Sequence, residues 1–189
     1  MEKFDKTKVF FTSDLHFYHE NIIRFCGRPH TDVEEMNTAL IDNWNKVVPE
    51  DGVVFVLGDI GFCSVSVLKE LFAQMNGTKY LILGNHDYSM QTQLEKAGIF
   101  KEIYNLKQIK VDTQNIVLCH YPMLCFNGDH HGAWQLFGHI HSGSGITTND
   151  TIKAQTLRPT QYDVGVDNNN YTPISFEQLQ TIITNKSRV

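Results

Sequence analysis

Eight residues in this chain could do chemistry together: Asp14, His16, Asp59, Asn85, His86, His120, His139 and His141. Each follows a short apolar run. Their oxygen and imidazole donors suit borderline first-row ions such as Mn²⁺, Fe and Zn²⁺. One catalytic ion typically takes three protein ligands plus water, so the set is too large for a single site. Seven ligands around two ions, with one carboxylate bridging, is a natural division. Two cations roughly 3.5–4 Å apart can clamp the attacking and leaving oxygens of a phosphoryl displacement. Each residue alone also has an ordinary reading. Aspartate after a strand is commonly a turn residue or helix cap, and a lone histidine is more often a hydrogen-bonded or surface group. However, five of the nine histidines share the same context beside carboxylates or an amide. His30, His130 and His131 lack that context and are expected at the surface. His19 either begins a helix near Asn21 or reaches into the site.

The elements that must position these residues are short. Val9–Thr12 leads into Asp14, Val53–Leu57 into Asp59, Tyr80–Leu83 into Asn85 and His86, Asn115–Cys119 into His120, and Trp134–Phe137 into His139. Rich in β-branched and aromatic residues, these runs read as buried strands. Helical spacing marks Asp32–Val48, with Asp32 as N-cap, and also Val65–Met75, Gln91–Ala97 and Ser175–Thr184. Residues 103–118 read as a hairpin turning at Asp112–Asn115. The order implies an α/β domain. In open α/β sheets, ligand sites gather at the carboxyl ends of strands, so one rim would collect all eight residues.

The 189 residues suit one domain over positions 1–189. With 41% hydrophobic and 20% charged residues, the composition is that of an ordinary globular protein. The net charge of −5 gives no global basic footprint and argues against binding long nucleic acid through phosphates. None of the four cysteines forms a C-x-x-C pair. With no signal-peptide pattern and no apolar run of membrane-spanning length, a cytoplasmic chain with reduced thiols is expected.

Taken in order, Asp14-x-His16, Gly58-Asp59, Gly84-Asn85-His86-Asp87, His120 and Gly138-His139-x-His141 resemble the calcineurin-like metallophosphoesterases. The stretches "DLHFYHENIIRFCGRP" and "YDVGVDNNNYTPISFEQLQTI" resemble small single-domain bacterial and phage members. The resemblance implies a four-layer αββα sandwich, two mixed β-sheets flanked by helices. It places Asp14, His16, Asp59 and His141 on one metal. Asp59, Asn85, His120 and His139 take the second, with Asp59 bridging. His86 becomes the catalytic histidine rather than a ligand. The implied cofactors are two divalent ions, Mn²⁺ first, with Fe or Zn²⁺ as alternatives. The implied reaction is attack of metal-activated hydroxide on a phosphodiester or phosphomonoester.

The protein-phosphatase branch carries Gly-Asp-x-x-Asp-Arg-Gly, and here the matching stretch is "GDIGFCS". Phe62 and Cys63 replace the acid and the arginine, which argues against a Ser/Thr protein phosphatase. Arg24 and Arg28, with His19, are candidates to supply substrate contacts instead; the ordinary reading of the arginines is a solvated helix face. A small phosphorylated or nucleotide-like substrate is expected, without a membrane partner. A nuclease acting on short nucleic acid and a non-catalytic scaffold are the alternatives. Substrate choice would fall to the rim, at residues 17–29, 88–90, 122–132 and 142–154.

Overall fold

A computed structural model describes residues 3–186; the single-domain reading of positions 1–189 therefore includes five terminal residues outside the described set. Two mixed five-stranded sheets and six α-helices build the fold expected of a calcineurin-like phosphoesterase.

The first sheet contains β2 (Val9–Thr12), β3 (Val53–Val56), β4 (Thr78–Ile82), β5 (Ile103–Tyr104) and β10 (Ile174–Ser175), in the order β10-β2-β3-β4-β5. All its pairings are parallel except β10 with β2. The second contains β1 (Lys3–Phe4), β6 (Leu106–Val111), β7 (Gln114–Cys119), β8 (Trp134–Phe137) and β9 (Gln161–Asp163), in the order β1-β6-β7-β8-β9. Only β6 and β7 pair antiparallel there.

The apolar runs are continuous because both faces of the first sheet are covered. Alternate side chains point to opposite faces, and the division is visible residue by residue. Val9, Phe11, Phe55, Tyr80 and Ile82 meet Ile116, Leu118, Trp134 and Leu136 of the second sheet. Phe10, Val54, Val56 and Leu81 face the helices. There they meet Ile22 and Cys26 of α1 (Glu20–Cys26), Met36, Leu40 and Trp44 of α2 (Val33–Val47), Leu68 and Phe72 of α3 (Val65–Ala73), and Leu94 of α4 (Gln91–Ala97). Phe176, Leu179 and Ile183 of α6 (Phe176–Lys186) close the inter-sheet core. Asp32 caps α2 by accepting a hydrogen bond from the Glu35 amide at 2.9 Å.

Two stretches differ from expectation. Ile103 and Tyr104 leave the hairpin and pair with Leu81 and Ile82 as the edge of the first sheet; only residues 106–119 form the hairpin. The segment 142–154, expected as a loop, contains most of α5 (Thr147–Thr156). Its threonines and asparagine lack an apolar stripe. Polar contacts tie it down instead: buried Lys153 donates to the Ile140 carbonyl at 3.1 Å and to Asp163 at 2.7 Å, and Asn149 donates to the His141 carbonyl at 3.1 Å.

Candidate metal centre

The carboxyl ends of β2, β3, β4, β7 and β8 converge on one rim. Beyond their last paired residues, β2 and β3 stay registered: the Asp14 amide donates to Gly58 O at 3.0 Å and the His16 amide to Asp59 O at 3.0 Å. The chain then turns through left-handed backbone at Asp14 (φ 58°), His16 (φ 53°), Asp59 (φ 53°) and His139 (φ 68°). That region is disfavoured for residues bearing a Cβ. Four of the eight such non-glycine residues in the described chain are candidate ligands, so the strain is concentrated at the rim.

Glycines let the loops approach. A Cβ on Gly138 would lie 2.0 Å from Ser13 Oγ and 2.3 Å from Asp14 Oδ2. One on Gly84 would lie 2.3 Å from Asp59 Oδ1.

The convergence makes two donor groups. Asp14, His16 and His141 present ligand atoms within 4.8 Å of one another, and so do Asp59, His120 and His139. Asn85 joins the second group, with Oδ1 3.0 Å from His120 Nε2. Asp59 Oδ2 stands between the groups, 3.5 Å from His120 Nε2 and 3.7 Å from His16 Nε2. His86 stands outside both; its Nε2 is 3.9 Å from Asp59 Oδ2 and its side chain is 44% exposed.

The donors fit cations. Asp14 Oδ1 and His16 Nε2 are buried and have no hydrogen-bond partner among the described residues, an arrangement that is costly unless something binds there. Burial holds His16 well below the ordinary histidine range, so its imidazole is a neutral donor. His139 is also lowered by burial. Burial opposes charge on His120, but its bond to Asp59 prevails and raises it.

A second layer of residues holds the donors. His120 Nδ1 lies 2.6 Å from the Leu57 carbonyl, which leaves Nε2 to face the site. His141 Nδ1 lies 2.9 Å from Asp167 Oδ2. Burial works against a charged His141, yet this hydrogen bond pushes it up to about 10. Asp87 accepts backbone N–H bonds from Gly84 (2.8 Å), Asp59 (2.8 Å) and Ile60 (3.1 Å), fastening the β3 and β4 loops together.

The two arginines part: Arg24 stays on a solvated helix face, whereas Arg28 is drawn inside. Arg28 is buried: Nε is 2.7 Å from Asp167 Oδ1, and Nη2 donates to the Asp14 carbonyl at 2.8 Å. It braces the ligand loop and has no donor left for a substrate at the surface. Arg24 lies on the exposed face of α1 and bonds Asn21. His19 does reach the site's edge, with Nδ1 3.3 Å from His16 Nδ1. His130 and His131 are exposed, whereas His30 is half-buried against Tyr171. Sequence reasoning missed Asp167 and Asp87 as supporting groups. Asp87 sits inside the Gly-Asn-His-Asp motif, but Asp167 carried no local signal.

Comparison with known proteins identifies relatives of the chain. The chain is 32% identical over 180 residues to the uncharacterised protein MJ1445 of Methanocaldococcus jannaschii, covering 93% of this chain and 91% of that one. It is 28% identical over 191 residues to the gene 66 protein of Mycobacterium phage L5, covering 85% and 87%. The solved structure of AQ665 from Aquifex aeolicus, a protein of unknown function, superposes with a TM-score of 0.68 at 25% identity, covering 92% of this chain and 98% of that one. Residues 7–159 match the profile of the calcineurin-like phosphoesterases. Their span takes in every candidate ligand from Asp14 to His141, and the chain therefore belongs to that family of metal-dependent phosphoesterases.

Proposed function

We propose that this chain hydrolyses a phosphodiester, or secondarily a phosphomonoester, of a small or nucleotide-like compound at a two-cation centre. The observation that carries the reading is Asp59 Oδ2 standing between two donor groups, 3.5 Å from His120 Nε2 and 3.7 Å from His16 Nε2. Asp14, His16, Asp59 and His141 would hold one ion; Asp59, Asn85, His120 and His139 would hold the other. Bound there, two cations would make water more acidic and offset charge on the phosphoryl oxygens; Mn²⁺ is the ion we favour, on the strength of the carboxylate and amide oxygens in the set.

The chain's own residues supply the rest. His86 is half-exposed beside Asp59 and belongs to neither donor group. It is the group available to protonate the leaving oxygen or to hydrogen-bond the transition state. Its backbone N–H donates to Asp59 Oδ1 at 3.0 Å, which ties the His86 loop to the carboxylate that would be shared by the two ions. Arg28 and Asp87 keep the β2, β3 and β4 loops registered, which preserves donor geometry between turnovers.

The test is a hydrolysis screen of the Mn²⁺-loaded chain against phosphomonoesters, cyclic nucleotides and short oligonucleotides. Turnover of a small diester, lost on chelation and restored by Mn²⁺, is expected. Inert protein with full metal content would overturn the reading in favour of a binding scaffold.

A further inference from the structure

Twenty-one residues of the chain are aromatic: 12 Phe, 7 Tyr and 2 Trp. Among the described residues, the exposed ones are Phe25, Phe62, Tyr88 and Tyr121. Two of them, Phe62 and Tyr121, lie against rings of candidate ligands. Phe62, 43% exposed, stacks on His19 with centroids 4.0 Å apart. It also lies 4.7 Å from the His86 ring and 5.6 Å from that of His16. Tyr121, 37% exposed, meets the His120 and His139 rings edge-on at 5.0 Å and 4.8 Å. Phe25 stands edge-on to His19. Tyr88 follows two residues after His86 and is 47% exposed.

Leaving large rings in water forfeits the benefit of burying them. None of the four belongs to the apolar core clusters or packs against them. A phosphate held at the donor groups would sit beside the Phe62 ring, so a group attached to that phosphate meets an aromatic face. The rim also carries the hydroxyls of Tyr88 and Tyr121 and the imidazole of His19. Those polar tips can pair with the edge of a heterocycle but have nothing to offer a plain alkyl or phenyl group.

We infer that Phe62 and Tyr121 form the platform on which the substrate's nucleobase stacks, making a nucleotidyl phosphodiester the substrate class. This rests on the hydrolase reading above and specifies it. Stacking of this kind tolerates any base, since every base has a π-face.

The experiment compares two substrates: the methyl phosphodiester of thymidine and the same diester on an abasic deoxyribose. Phosphorus and leaving groups are identical, so only the base differs. The Mn²⁺-loaded chain should prefer the base-bearing diester in kcat/KM by roughly 5- to 150-fold, the range base–aromatic stacking supports. Phe62→Leu and Tyr121→Ala should each move that ratio toward one. A wild-type ratio near one, or a ratio unchanged in both variants, overturns the platform and leaves the hydrolase reading intact. Calorimetric binding of thymidine 5′-monophosphate against deoxyribose 5-phosphate gives a readout independent of turnover. Base-dependent binding that weakens in Phe62→Leu, with neither diester hydrolysed, would support the platform and sink the hydrolase reading; equal binding of the two compounds overturns the platform.

Discussion

Asp167 Oδ2 lies 2.9 Å from His141 Nδ1, and Arg28 grips both oxygens of the same carboxylate. This orders the ligand from behind: Nδ1 is occupied, so Nε2 is left to face Asp14. Outer partners of this kind typically govern metal affinity by about 10–100-fold. Asp167→Asn should therefore weaken metal binding by roughly that factor. Titration calorimetry with Mn²⁺ measures it, and wild-type affinity in the variant would show that Asp167 does not act on the centre.

The same pair sets a pH dependence in the metal-free chain. His141 is raised to about 10 from an ordinary value of 6.5. A raised value means that the folded chain binds the proton more tightly than the unfolded one. The stabilisation is therefore complete below about pH 6.5 and is lost as pH rises through 10. In thermal melts of chelated protein, the stability advantage of wild type over Asp167→Asn should shrink across that window. An advantage that grows with pH would contradict the assignment.

Gly138 leaves no room for a methyl group. Its added Cβ would fall 2.3 Å from Asp14 Oδ2, far inside contact distance. Gly138→Ala should displace Asp14 and deplete the bound metal while the sheets remain folded. Metal content by emission spectrometry, read beside circular dichroism, decides this; full metal occupancy would refute the steric argument.

His86 and Asp59 should separate cleanly. His86→Asn removes a proton carrier without touching either donor group, so turnover should drop about 10²–10⁴-fold at unchanged metal content. Asp59→Asn removes the anion that faces both groups, so occupancy should fall in both. Metal lost from the His86 variant would make His86 a ligand, and two tightly held ions in the Asp59 variant would remove the bridge.

How much of this was legible beforehand depended on distance along the chain. Asp14, Asp59 and His120 could be read because each ends an apolar run, and a parallel strand end is a predictable place. The capped, amphipathic α2 was equally plain. The Arg28–Asp167 pair was not, because 139 residues separate its members and neither shows a local pattern. Read locally, Arg28 looked like a surface cation free for substrate. The fold buries it, and a buried guanidinium goes where its counter-charge is. Helix α5 stayed hidden because polar contacts of Lys153, Asn149 and Asp150 anchor it rather than an apolar stripe. Phe62 was visible only as a departure from a motif; its exposure beside three histidines needed coordinates.

Each donor group draws on both sheets. Asp14 and His16 follow β2 of the first sheet and His141 follows β8 of the second; Asp59 follows β3, while His120 and His139 follow β7 and β8. An ion seated in either group is thus a rivet through the seam between the sheets, placed at the end where apolar packing gives out. Stripping it would unzip the molecule from that end, and amide exchange should quicken first along the rim while the Phe11, Phe55 and Leu136 layer stays closed.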